Sequence, residues 1–399
     1  MLQFNVNSLT AQLADEYTVK SGVHFVSKKK IVICFDGTGN SFDNHNEDSN
    51  VVKLYSALVI NERQRGYYHP GVGTMGDPTH GTAISRYFYQ LRGLAFGKGL
   101  LENVGDAYRY LMDTYEDGDE IFLFGFSRGA FTARAFASLI HVYGLLCAGN
   151  HGCIPYILGM YAKNSKKAQH RDRTFKPDHV FQWQFSHKHS VGIHFCGVWD
   201  TVSSYGWITD PVQLPFLGNN PIIKIGRHAI SIDERRCYYQ DNIWGKPNHD
   251  QDIKQVWFRG VHSDVGGSYP ERQSGLAKIA LEWMFVEAER AGLLLDSRKV
   301  ETILGRAGHG YLPDYAPPDK CGMLHHSLRG GWWALEFLPH KDPHKGKGWY
   351  LPMGRARRIP PDAVIHETVQ DTDSFPISGD HPIEPWRPYK GPLSYSASS

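Results

Sequence analysis

Residues 120–136 read EIFLFGFSRGAFTARAF, and their reading decides the fold. An apolar run breaks at Gly125-Phe126-Ser127-Arg128-Gly129, and a stretch rich in small residues follows. The pattern predicts a buried strand, a sharp turn, and a helix whose small-residue side presses against a sheet. Glycines on both sides of a serine relieve crowding at such a turn, so Ser127 is a candidate nucleophile. The bland alternative is a tight turn without chemistry, which a chain of 41 glycines meets by chance. The rest of the sequence has to supply a base, an acid and donors for an oxyanion.

Working outward, KKIVICFDGTGN (29–40) reads as a buried strand breaking into a glycine-rich loop, and RGYYHPGVGT (65–74) as a second strand-to-loop passage. NVVKLYSALV (50–59) has helical spacing with Asn50 as its expected N-cap, and LLENVGDAYRYLMDTY (100–115) is helical too. VGIHFCGVWDTV (191–202) is a buried strand ending in an acid, and DIKQVWFRGVHSDVGGSY (252–269) holds the last strand of the set. SGLAKIALEWMFVEAERAGLLLD (274–296) reads as a strongly amphipathic helix. Strands alternating with helices predict an α/β fold, a mostly parallel sheet with helices on both faces, in which functional residues gather beyond the carboxyl ends of the strands.

The expected domain organisation is an N-terminal lead (1–29), a catalytic domain (30–296), and a loop-rich C-terminal extension (297–399) packed on it. Within the catalytic domain, a cap insertion is expected near 150–190 and a long loop over 203–228. Residues 76–98 read as a loop or part of a lid.

The chain has 399 residues, 41% hydrophobic and 21% charged, with a formal net charge of +2. That balance describes a globular protein and argues against a dedicated nucleic-acid binder. Six cysteines show no metal-ligand spacing and fit a reducing compartment, with a Cys147–Cys153 bridge as the alternative. The N-terminus lacks the basic and apolar regions of a signal peptide, and no run is long and apolar enough to span a bilayer. The expected localisation is cytoplasmic, with export by a signal-independent route as the alternative.

A serine hydroxyl needs a base held against it and an orienting group behind that base. Asp200, at the end of GVWDTV, is the candidate acid; Asp210 precedes a proline in a loop, and Asp233 lies in a polar strip that looks structural. His262, entering SDVGGSY after an apolar strand, is the candidate base among 21 histidines. The backbone N–H of Arg128, at the start of the predicted helix, faces a developing oxyanion. The loop after the first strand, Asp36 to Asn40, offers a second donor, with Thr38 and Gly39 favoured and Gly37 beside them. Asp36 and Asp264 either brace the oxyanion and histidine loops or hold a cation, with bracing favoured because two oxygen ligands do not make a calcium site. No metal and no cofactor is expected.

Together CFDGTGN, YYHPGVGT, FGFSRGAFTAR, GVWDTV, RHAISIDERR and FRGVHSDVGGSY, in this order, resemble the α/β-hydrolase family related to type VI secretion phospholipase effectors. The resemblance covers residues from about 30 to about 290. It implies a Ser-Asp-His triad on Ser127, Asp200 and His262, and hydrolysis of lipid or other carboxylic esters. The expected partner is an ester or phospholipid substrate, with membrane contact transient; the sequence carries no signal for oligomeric state. Two alternatives use the same fold: an acyltransferase with the same triad, and a non-catalytic binding module. A nucleotide-binding reading is weaker, because DGTGN and GVGT lack the lysine of a P-loop and the dinucleotide spacing.

Overall fold

The computed structural model describes residues 28–37, 47–71, 96–170, 176–187, 190–202, 206–207, 210–211, 214–307, 315–341, 349–369 and 381–391. Strands β1 (Lys30–Phe35), β2 (Gln64–His69), β3 (Glu120–Phe126) and β4 (Ile193–Trp199) lie in one sheet. Strands β7 (Ile223–Ser231), β8 (Asp252–Phe258), β11 (Val364–His366) and β12 (Ile383–Glu384) complete it. Two short antiparallel pairs lie outside it: β5 (Gly206–Trp207) with β6 (Asp210–Pro211), and β9 (His340–Lys341) with β10 (Trp349–Tyr350). The strand order is β12-β11-β8-β7-β4-β3-β1-β2, and every pairing in this eight-stranded sheet is parallel. All strand ends that carry candidate residues therefore open on the same edge.

Alternate strand residues face opposite layers. Ile31, Ile33, Phe35, Ile121 and Leu123 pack under α2 (Phe96–Thr114), α3 (Arg128–Tyr143) and α4 (Ile154–His170). Val32, Cys34, Phe122, Phe124 and Phe126 pack against α1 (Asn50–Ser56), α7 (Gly275–Arg290) and α8 (Ser297–Ile303). Three more α-helices complete the set among the described residues: α5 (His179–Phe185), α6 (His262–Gly266) and α9 (Trp332–Glu336). The stretch expected as a cap insertion is thus carried by α4 and α5. None of the helices among the described residues is long and apolar enough to cross a membrane.

Four local expectations change. The loop expected to run to residue 228 instead enters β7 at Ile223, between β4 and β8. Its charged residues hid it: Arg227 is buried, with Nε 2.5 Å from Glu287 and Nη2 2.5 Å from Asp252. Strand β8 is not the last, because β11 and β12 from the C-terminal segment extend the sheet beyond it. The cap of α1 is Ser49, whose Oγ accepts the Val52 amide, while the Asn50 side chain donates to the carbonyls of Val265 and Ala277.

Helix α7 is buried from Gly275 through Ala288, where the sequence reads as amphipathic. Its polar residues are covered rather than solvated. Glu282 accepts from the Trp386 indole at 2.9 Å and the Tyr389 amide at 2.8 Å, and also pairs with Arg306. Lys278 and Lys53 both engage Glu271, and burial in this cluster pushes the Lys278 ammonium down to about 7. All six cysteines are free thiols, Cys147 and Cys153 included.

Candidate active site

The turn between β3 and α3 leaves no room for side chains at its glycines. A Cβ on Gly125 would lie 2.5 Å from the Gly129 carbonyl oxygen, and one on Gly129 would lie 2.1 Å from the Phe35 carbonyl oxygen. That approach lets α3 start directly on the sheet and forces Ser127 to φ 59°, ψ −121°, a conformation that non-glycine residues rarely hold. The Ser127 amide is secured on the Trp199 carbonyl at 3.0 Å. Its hydroxyl is projected over the sheet edge at the amino end of a 16-residue helix.

Asp200 follows β4 directly, also with positive φ (39°). Its amide donates to Ala229 of β7 at 2.7 Å, and its Oδ1 accepts the Ser231 amide at 2.9 Å. His262 opens α6 beyond β8, and its amide donates to Glu234. The structure brings the three together. His262 Nε2 lies 2.8 Å from Ser127 Oγ, and His262 Nδ1 lies 2.5 Å from Asp200 Oδ2. Phe126 and Tyr239 hold the imidazole from two sides, at ring-centroid distances of 4.7 and 4.6 Å.

Electrostatics favour a neutral imidazole beside an ionised carboxylate. Burial lowers the His262 pKa and outweighs the opposing pull of Asp200. Burial pushes Asp200 up, but Arg357 and His262 together hold its carboxyl well below the usual range. Glu234 is likewise held down to about 2 against burial, by Arg236. Asp200 and His262 are 0% and 4% exposed, against 8% for Ser127, so the hydroxyl is the most reachable of the three. This arrangement can remove a proton from a serine hydroxyl at neutral pH and orient the resulting imidazolium.

The two further aspartates sit in hydrogen-bonded braces. Asp36 accepts from the Gly37 amide, Ser49 Oγ and Tyr68 Oη, at 2.6, 2.8 and 2.7 Å. Asp264 accepts from the Val261 amide and from both the amide and ring of His325. Gly37 abuts Ser127, where an added Cβ would lie 3.6 Å from the serine Cβ, but its N–H is spent on Asp36. Arg128 is the first residue of α3, which sets its amide next to Ser127 at the helix amino end. Thr38 and Gly39 lie outside the described residues. Of the rejected acids, Asp233 accepts the Gly260 amide, a link between the β7 and β8 loops.

Sequence reasoning missed Arg357. It reaches Asp200 from the C-terminal segment with both terminal guanidinium nitrogens, Nη1 and Nη2. The stretch GRARRIP (354–360) has no motif character, so only the folded chain reveals the contact.

Residues 29–287 match the family described as the T6SS phospholipase effector Tle1-like catalytic domain. An uncharacterized protein of Saccharomyces cerevisiae is 34% identical over 228 residues, covering 55% of this chain and 33% of that protein. The match thus spans about a third of that relative's length. Among solved structures, an uncharacterized protein from Pseudomonas aeruginosa aligns over 75% of this chain and 51% of its own, at 19% identity and a TM-score of 0.42. Acyl-protein thioesterase 2 of Zea mays aligns over 66% of this chain and 95% of its own, at 11% identity and a TM-score of 0.25. At these scores neither superposition bears on function.

Proposed function

The chain belongs to the family of Tle1-like phospholipase effector catalytic domains, a membership that supports action on lipid esters in general, and from that premise we propose a serine hydrolase that cleaves acyl esters of lipids through an acyl-enzyme on Ser127. The observation that carries this reading is the continuous chain of Ser127 Oγ, the His262 ring and Asp200, with contacts of 2.8 and 2.5 Å.

His262 Nε2 takes the proton of Ser127 Oγ as the oxygen adds to the ester carbonyl. Asp200 holds the Nδ1–H and stabilises the imidazolium without itself being protonated. The carbonyl oxygen takes the negative charge at the amino end of α3, where the Arg128 amide is a donor. Collapse expels the alcohol, which receives the proton from His262. Water then adds to the acyl-enzyme with His262 again as base, releasing the acid and restoring the serine.

A p-nitrophenyl ester series compared with phospholipid vesicles tests the substrate assignment. Turnover of long acyl chains and of vesicle phospholipid, lost in Ser127→Ala, is the expected result. Exclusive turnover of short soluble esters by the native chain would overturn the lipid assignment.

A further inference from the structure

The C-terminal segment places a charged side chain in the site from outside the family-matched residues 29–287. Arg357 forks onto Asp200, Nη1 to Oδ1 at 2.5 Å and Nη2 to Oδ2 at 3.1 Å. Nη1 also donates to the carbonyl and hydroxyl of Ser231, at 3.1 and 2.7 Å, and Nη2 donates to the Tyr239 carbonyl. The pair is shut away from water, with the arginine side chain 5% exposed and the aspartate 0%.

We propose that Arg357 is a positioning residue for His262: it fixes the plane of the Asp200 carboxylate and balances part of its charge, keeping the imidazole in one orientation and low in proton affinity. The proposal rests on reading Ser127, His262 and Asp200 as the reacting chain. A carboxylate bonded only to imidazole lends its whole charge to the imidazolium, whereas a cation on the same carboxylate subtracts from that stabilisation. Burial makes the subtraction larger than it would be in water.

The other charged groups around the ring do not replace this effect. Glu234 and Arg236, from the segment after β7, pair with each other at 2.9 Å and act on His262 in opposite directions, Arg236 lowering its pKa and Glu234 raising it. Asp264, on the same short helix as His262, is engaged by His325. His228 of β7, which feels the Asp200 charge, is itself held neutral by burial, its pKa pushed down to about 3. Among the described residues, the rings of Phe126 and Tyr239 also face the imidazole, without formal charge. Tyr239 is tied to the arginine through its carbonyl, so one guanidinium steadies both the carboxylate behind the ring and the phenol at its side.

The test is a titration of the His262 ring by NMR in the full chain labelled with 15N-histidine, the resonance being assigned by its loss in His262→Gln. Arg357→Gln and Arg357→Met remove the charge, while Arg357→Lys keeps it. Either neutral variant, if folded, is expected to raise the His262 midpoint with a roughly tenfold gain in proton affinity, and Arg357→Lys to stay within about twofold of the native chain. An unchanged midpoint in a folded neutral variant, or an equal shift in Arg357→Lys, overturns the proposal. So does the failure of both neutral variants to fold, which would make the arginine a pin of the fold. The titration needs no turnover. A native Ser127 inert to a fluorophosphonate would sink the hydrolase reading by a separate readout.

Discussion

A Cβ added to Gly129 would lie 2.1 Å from the carbonyl oxygen of Phe35, a separation no real pair of these atoms maintains. Gly129 is therefore required by the approach of α3 to β1, and the geometry of Ser127 depends on that approach. Gly129→Ala is expected to lower stability by about 1–3 kcal/mol, as overpacking does, and to displace the serine. Urea unfolding measures the first effect, and the rate of Ser127 labelling by a fluorophosphonate measures the second. A variant as stable and as reactive as the native chain would contradict the strained-turn account.

In the proposed mechanism Asp200 orients His262; its carboxyl is held ionised by Arg357 and the imidazole. Asp200→Asn leaves the buried Arg357 charge without its counterion and is expected to lower stability by about 3–5 kcal/mol, and in the folded variant to cut kcat by roughly 10³–10⁴ through the wrong imidazole tautomer. Steady-state ester hydrolysis together with circular dichroism checks both halves. A loss of less than about tenfold would remove the aspartate from the proposed reacting chain.

His262 must be neutral to act as a base, and burial lowers its pKa below the ordinary 6.5. Activity is therefore expected to fall with pH through a midpoint below 6.5, so that the base form predominates throughout the neutral range. A pH profile of kcat/KM reads this directly. An acid limb centred above 6.5 would mean that Asp200 dominates over burial.

Stability has its own acid dependence. His228 and His366 are buried neutral, each with its pKa pushed down by burial to about 3. The unfolded chain binds protons at these residues from about pH 6.5 downward while the folded chain does not, so their contribution is present above 6.5 and lost as pH falls. Each is expected to cost about 1.4 kcal/mol per pH unit between 6.5 and the folded value, as an upper bound. Glu234, held down to about 2, adds a further loss only below its ordinary 4.5. Urea unfolding at pH 7, 6 and 5 tests the slope; equal stability at all three would contradict it.

Glu282 fastens the C-terminal segment to α7 through Arg306, Trp386 and Tyr389. Glu282→Ala removes the acceptor from all three and is expected to cost about 3–5 kcal/mol, the range for breaking a buried pair. Limited proteolysis should then cut within the C-terminal segment, which carries β11 and β12, before it cuts the part of the sheet from β1 to β8. Because Arg357 belongs to the same segment, the variant should also lose esterase activity in step with that cleavage.

The sequence made some of these features legible and hid others, for physical reasons. Ser127, Asp200 and His262 each end an apolar strand or follow one closely, and parallel strands bring such ends to one edge. Local pattern was therefore enough to single out three residues that the structure brings into contact. Strand β7 escaped because Lys224, Arg227 and His228 interrupt its apolar run, and the partners that neutralise Arg227 lie in β8 and α7. Strands β11 and β12 are three and two residues long, too short to show a period. Helix α7 reads as amphipathic because its glutamates look solvated until the C-terminal segment covers them. Arg357 lies 157 residues from Asp200 in sequence, and nothing in its own neighbourhood announces the contact.

The central claim, that Ser127 is a nucleophile activated by His262, is tested most directly by intact-protein mass after exposure to a fluorophosphonate. The native chain is expected to gain one adduct, mapped to the peptide bearing Ser127, with none in Ser127→Ala and a labelling rate in His262→Ala reduced by at least about a hundredfold. A folded native chain that gains no adduct, or an adduct that survives Ser127→Ala, would contradict it.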